Sequence, residues 1–158
     1  MRPFQLFSPL KNVCALQSLF LLASGKDEGE TARYAALTIA NIACDSANQE
    51  KIVVDGGGTM LVRLLRSSDA DLIRHSARAL ANLAWNSVCR DKLGSQSNCI
   101  SWLCRMLCSA DPESARYAAG AVANLAYRHP HNQVRVRSLL LFDAIWSSSV
   151  RVAGTHNE

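Results

Sequence analysis

The segment ALANLAW at residues 79–85 occurs twice more in variant form, as TIANIAC around Asn41 and AVANLAY around Asn124, so the three asparagines stand 41 and 42 residues apart. No other feature narrows the fold as far. A period in the low forties belongs to stacked helical units, none of which buries its own apolar face, so that neighbours must complete one core. The asparagine is therefore a column rather than a single residue.

Each unit divides into three helices. In the second, ANQEKIVVDGGG reads as a short helix ended by glycines, TMLVRLLRSS as another, and DADLIRHSARALANLAWN as a longer third. The next unit follows with SVCRDKLGS, NCISWLCRMLCSA and DPESARYAAGAVANLAYR, in which Asp111 is placed to cap the last helix and Pro112 to occupy its first position. The first unit keeps its second and third helices, its first being displaced by MRPFQLFSP. A fourth begins at NQVRVRSLLLFDAIWSS and stops at RVAGTHNE without a third helix. The expected fold is all-α, an α-solenoid with three helices per repeat. Its units are an incomplete repeat at 1–46, full repeats at 47–87 and 88–129, and a truncated repeat or cap at 130–158. The apolar run Val13 to Ala23, which has some look of a signal peptide, aligns with the second helices of the later units and is assigned to the repeat.

Composition removes several functional classes. With 49% hydrophobic and 19% charged residues the chain is a packed domain, not a disordered one. The net charge of +4 is spread out, and the best basic stretch, Arg128 to Arg137, reads as a solvated turn and short helix, so no specific nucleic acid is expected. No run reaches the ~20 apolar residues of a membrane span. Of the six cysteines, packing positions such as Cys44 read as buried or half-buried thiols and Cys99, Cys104 and Cys108 as core or surface thiols, in a reducing compartment, which places the chain in the cytoplasm or nucleus. Cys99, Cys104 and Cys108 lack a nearby His or CxxC pair, so no metal is expected, and no cofactor. Gly56-Gly57-Gly58 lacks the Lys-Ser/Thr of a phosphate loop, and nothing flanks His75 with catalytic spacing; the chain is expected not to be an enzyme.

Helical geometry sorts the third helices by face. With the asparagine at 0° and 100° per residue, Ile39, Leu80 and Val122 fall at about 160°, Ile42, Leu83 and Leu125 at about 100°, and Ala35, Ser76 and Ala118 at about 120°. The core lies on that side and the asparagines point away from it. Eight residues earlier stand Arg33, Arg74 and Arg116, each followed by a ring, Tyr34, His75 or Tyr117. Both columns border the asparagines. A row of guanidinium groups suits carboxylates or phosphates; equally, each arginine can pair with an acid of its own chain such as Asp71 or Glu113. Trp85 and Tyr127, three residues past their asparagines, supply apolar shelves, while Cys44 takes that place in the first unit.

The pattern NQEKIVVDGGGTMLVRLL followed by RHSARALANLAWN resembles an armadillo repeat, and the resemblance covers about residues 10–147. It implies a right-handed superhelix whose third helices line a concave groove, with Asn41, Asn82 and Asn124 bonding the backbone of an extended peptide. An amide suits that task because it donates and accepts at once; alternatively each asparagine bonds a neighbouring turn and stabilises the stack. Importin-α members of the family carry a tryptophan four residues before the asparagine, where this chain has Leu37, Arg78 and Gly120. The array that holds basic import signals is thus missing, and Arg78 joins the groove. The third helices read more like those of vacuolar-membrane armadillo scaffolds and of the armadillo segments of certain kinesins.

The function expected is a non-enzymatic adaptor holding an extended, acidic protein or peptide segment along the groove. The alternative is a structural subunit, or part of a longer solenoid, that self-associates through its ends.

Overall fold

The computed structural model describes residues 13–25, 29–96 and 98–154, and among them it contains nine helices and no strand. These are α1 (Val13–Ala23), α2 (Glu30–Ile42), α3 (Ser46–Val54), α4 (Gly57–Leu64), α5 (Ala70–Leu83), α6 (Ser87–Ser95), α7 (Cys99–Met106), α8 (Pro112–Ala126) and α9 (Pro130–Gly154). The segment MRPFQLFSP, expected to displace a first helix, lies outside the described residues.

Local chemistry sets most boundaries. Asp45, Asp69, Asn86 and Asp111 cap α3, α5, α6 and α8 with side-chain oxygens, and Pro112 opens α8 where its missing N–H costs nothing. Between α3 and α4 the chain turns at Gly56 with φ 92°, and between α6 and α7 at Asn98 with φ 73°. Both residue types tolerate the left-handed region. At the corresponding place in the fourth unit stand Leu140 and Leu141, which do not, and α9 continues for 25 residues without a break. The basic stretch Arg128 to Arg137, expected to form a turn and a short helix, is therefore the turn and opening of a long one.

The core runs unbroken through the stack. All nine side chains assigned to it on the third helices are buried, Ser76 among the leucines and alanines. Small residues (Ala36 and Ala40 on α2, Ala77 and Ala79 on α5, Ala118 and Ala121 on α8) let the third helices lie side by side. Leu61, Leu65, Ile100 and Leu103 fill the layer beneath from the second helices, each large side chain contributing about 1.5–3 kcal/mol on burial. The run Val13–Ala23 is a helix packed on α2, as a second helix should be. Cys89, Cys99 and Cys104 are buried, whereas Cys44, expected to be at least half-buried, is exposed past the end of α2, as are Trp85 and Tyr127 at the equivalent positions of the later units.

Candidate functional site

The third helices α2, α5 and α8 end on a common face, and the last turn of each leaves carbonyls with no partner within its own helix. The end of α5 shows how every one is satisfied. Leu80, Asn82 and Leu83 accept from the backbone N–H groups of Ala84, Trp85 and Asn86. The carbonyl of Ala81 accepts from Asn124 Nδ2 at 2.9 Å, one repeat further on. Those of Ala84 and Trp85 accept from Arg90 Nε and Nη2 at 3.3 and 3.2 Å. The same arrangement closes α2: Asn82 Nδ2 donates to Ala40 O at 3.0 Å and lies 3.2 Å from Cys44 Sγ, while Asn48 and Gln49 donate to Ile42 O and Ala43 O.

Asn82 and Asn124 thus cap the third helix of the preceding repeat. Of the two readings open from sequence, bonding to a neighbouring turn is what Nδ2 of Asn82 and Asn124 does. Their Oδ1 atoms carry no hydrogen bond among the described residues, and both residues are half-buried. Asn41, at the start of the array, is exposed, and its Oδ1 accepts from Arg78 Nη2 at 3.0 Å.

The arginine column performs the mirror-image task at the other end of these helices. Arg33 grips the N-cap Asp69 of α5 through Nε and Nη2 at 2.7 and 2.6 Å. Arg74 reaches the N-cap Asp111 of α8 at 3.0 Å and also Asp71 on its own helix at 2.8 Å. Arg116, with no further third helix to reach among the described residues, turns back to Glu113 at 2.6 Å. The hydrogen bond from Arg74, then that from Ser114, holds the Asp111 carboxyl down at about 2. Burial alone would raise Asp69, but bonds from Leu72 N–H and Arg33 outweigh it and the net shift is downward. The column is committed to carboxylates of its own chain.

The rings divide in the same way. His75 is half-buried, and burial lowers its pKa, so it is neutral at pH 7. Tyr117 packs against the core with Arg116 4.2 Å from its ring centre. Tyr34, Trp85 and Tyr127 are exposed, Trp85 to 74%. Trp85 and Tyr127 flank a cavity of about 320 Å³ between α5 and α8, completed by Ala123, Asn124 and Arg90. Among the described residues Arg78, Arg90 and Arg128 have no carboxylate partner. Burial pushes the Cys89 and Cys99 thiols up to about 11 and about 12, so neither is a nucleophile at neutral pH.

Sequence reading gave no role to Asn48, Gln49, Arg90, Asn132 or Gln133, the first-helix residues that close the last turns. A signal was present: the pair Asn-Gln stands at 48–49 and again at 132–133. Asn132 and Gln133 donate to Leu125 O and Ala126 O, both at 2.9 Å. One extra residue in that turn, absorbed by Arg128 at φ 49°, hides the register.

Comparison with known proteins agrees with this geometry. The Armadillo/beta-catenin-like repeat profile matches residues 45–85 and 86–127, together more than half of the chain. Among solved structures, an engineered protein is 31% identical with a TM-score of 0.73, over 79% of this chain and 51% of its own. Computationally designed armadillo repeat proteins for modular peptide recognition are 27% identical with a TM-score of 0.73, over 84% of this chain and 56% of theirs. A designed armadillo repeat protein in complex with the peptide (KR)4 is 27% identical with a TM-score of 0.73, over 85% and 56%. The chain spans about half the length of these structures. No curated protein matches it.

Proposed function

The chain belongs to the Armadillo/beta-catenin-like repeat family, and from that premise we propose that it is a non-enzymatic adaptor whose third-helix face holds an extended, acidic peptide segment. The observation that carries the reading is the pair Trp85 and Tyr127, exposed rings just past the ends of α5 and α8, with Tyr34 exposed near the start of α2. Large rings left in water on the face where helices of successive repeats end are what an extended ligand covers. The amide oxygens of Asn82 and Asn124 are acceptors for peptide N–H groups, their nitrogens being held by the stack. The preference for acid rests on Arg78, Arg90 and Arg128 rather than on the paired column of Arg33, Arg74 and Arg116. A net charge of +4 acts in the same direction at long range. The likeness to designed peptide-binding repeats supports the groove, and the basic (KR)4 peptide of one of them makes charge the discriminating variable. The buried thiols Cys89, Cys99 and Cys104 suit a reducing compartment, cytoplasm or nucleus.

Calorimetric titration with acidic, neutral and basic peptide pools tests the reading. Acidic peptides binding most tightly, with affinity falling as salt rises, is the expected result; equal binding of all three pools contradicts it. A second reading, association through the ends, is favoured by one specific feature: Leu140 and Leu141 on α9 are exposed beside an apolar hollow between α9 and the end of α8.

A further inference from the structure

The first-helix position that closes the stack is Gln49 in one repeat, Arg90 in the next and Gln133 in the last. Gln49 Nε2 donates to Ala43 O and, across the repeat boundary, to Asn82 O at 3.1 Å. Arg90 makes the same two kinds of bond, to Ala84 O behind it and to Tyr127 O at 2.8 Å ahead. An amide therefore suffices to stitch one repeat to the next, and the positive charge of Arg90 is surplus to that task. It is also buried, with 9% of its surface exposed, and it has no carboxylate partner among the described residues. The carbonyls at the ends of α5 and α8 make such burial tolerable, but they would do as much for glutamine.

The charged residue coincides with a second departure. At this junction both flanking positions past the asparagine are aromatic, Trp85 and Tyr127, whereas at the previous junction the first of them is Cys44. The two rings and Arg90 line the same cavity of about 320 Å³, with Asn124 and Ala123. Arg90 and Arg128 lie 5.4 and 5.3 Å from the centre of the Tyr127 ring. A guanidinium has five N–H donors. The carbonyls of Ala84, Trp85 and Tyr127 use three of those on Arg90, one on each nitrogen. One N–H on each terminal nitrogen remains for a ligand, and a guanidinium donor suits a carboxylate.

We propose that the junction of α5 and α8 is a carboxylate subsite, in which Arg90 binds an acidic group of the peptide while Trp85 and Tyr127 enclose its apolar stem. The proposal rests on the peptide-adaptor reading and assigns its acidic preference to one residue. The carboxylate has two sources, a glutamate or aspartate side chain or the free C-terminus of the ligand.

The test uses the full chain and three acetylated probes: amidated peptides of five Glu-Ala or five Gln-Ala units, and the Gln-Ala peptide with a free C-terminus. Dissociation constants are measured for the native chain, Arg90→Gln and Trp85→Ala. The native chain binds the Glu-Ala peptide more tightly than its amidated Gln-Ala counterpart, and Arg90→Gln lowers the Glu-Ala affinity about tenfold with the Gln-Ala affinity unchanged. If the free C-terminus alone gives an Arg90-dependent gain, the carboxylate is terminal, and the subsite stands. Trp85→Ala, at an exposed side chain, weakens Glu-Ala binding without altering the melting curve, and carries the test should Arg90→Gln unfold. A Glu-over-Gln preference that persists in Arg90→Gln and in Trp85→Ala overturns the subsite and leaves the groove. Binding of neither peptide overturns both.

Discussion

Replacing Asn82 and Asn124 by alanine removes the two amides that close the third helices of the preceding repeats. Each donates to a backbone carbonyl across a repeat boundary, Ala40 O or Ala81 O, and Asn82 donates also to Cys44 Sγ. Neither carbonyl has a backbone N–H to fall back on, because those of Cys44 and Trp85 bond instead to Asn41 and Asn82, though Ala40 O keeps a weak bond from the Cys44 thiol at 3.5 Å. A hydrogen bond of this kind contributes about 1 kcal/mol net. Alanine recovers a few tenths through its better helix propensity, about 0.7 kcal/mol at most. The loss per site is then about 0.3–0.8 kcal/mol, and about 0.6–1.6 kcal/mol for the pair, which lowers Tm by about 2–5 °C in a domain of this size. Thermal unfolding followed by circular dichroism measures it, with Asn41→Ala as the control. The exposed side chain of Asn41 makes, among the described residues, a single bond, from Arg78, so its replacement leaves Tm within about 1 °C. A double variant that melts with the native chain would refute the capping role and return the asparagines to a purely ligand-binding one.

Gly94→Ala on α6 places a methyl 2.3 Å from Oδ1 and 2.4 Å from Nδ2 of the buried Asn132, so the amide must leave Leu125 O; urea unfolding should show a loss of about 2 kcal/mol, much reduced when Asn132→Ala is already present. The depressed carboxyl of Asp111 contributes stability that is complete above the ordinary aspartate value of about 4 and is lost as pH falls toward about 2; Asp111→Asn should remove that part of the acid transition in a pH-dependent unfolding series. Charged substitution of Leu140 and Leu141 to Asp should reduce concentration-dependent association in sedimentation if the end of α9 is adhesive, and a native chain that is monomeric at all concentrations would dispose of that second reading.

The repeat made the architecture readable because a period of 41 and 42 residues, in phase with apolar positions on the third helices, admits few folds. The core face followed from helical angles alone, and Ile39, Leu80 and Val122 lie where those angles put them. What sequence could not decide was the partner of a polar column. Asn82 and Arg74 stand on the face expected, but whether an amide meets a ligand or the next helix depends on a carbonyl 42 residues away in the chain, and spacing cannot measure that distance. Arg90 carries no sequence signal of its own, since it departs from the Asn-Gln pair of the units on either side, and its place is set only by the contacts it shares with Gln49. The length of α9 was missed for a simpler reason: a helix end was expected by analogy with the other repeats, where Gly56 and Asn98 supply a left-handed residue that Leu140 and Leu141 do not.

The central claim is that ligand lies across the ends of the third helices, and the tryptophan indoles report on it most directly. Trp85 stands exposed beside the cavity at that face, whereas Trp102 is on the second helix α7, with Arg66 and Arg105 stacked on its ring at 5.7 and 5.0 Å. Titrating the nitrogen-15-labelled chain with the Glu-Ala peptide should shift the indole signal of Trp85 progressively and leave that of Trp102 in place, with the side-chain amides of Asn82 and Asn124 moving at the same ligand concentration. A peptide that shifts Trp102 while Trp85 stays still would put the binding surface on the second helices and contradict the account.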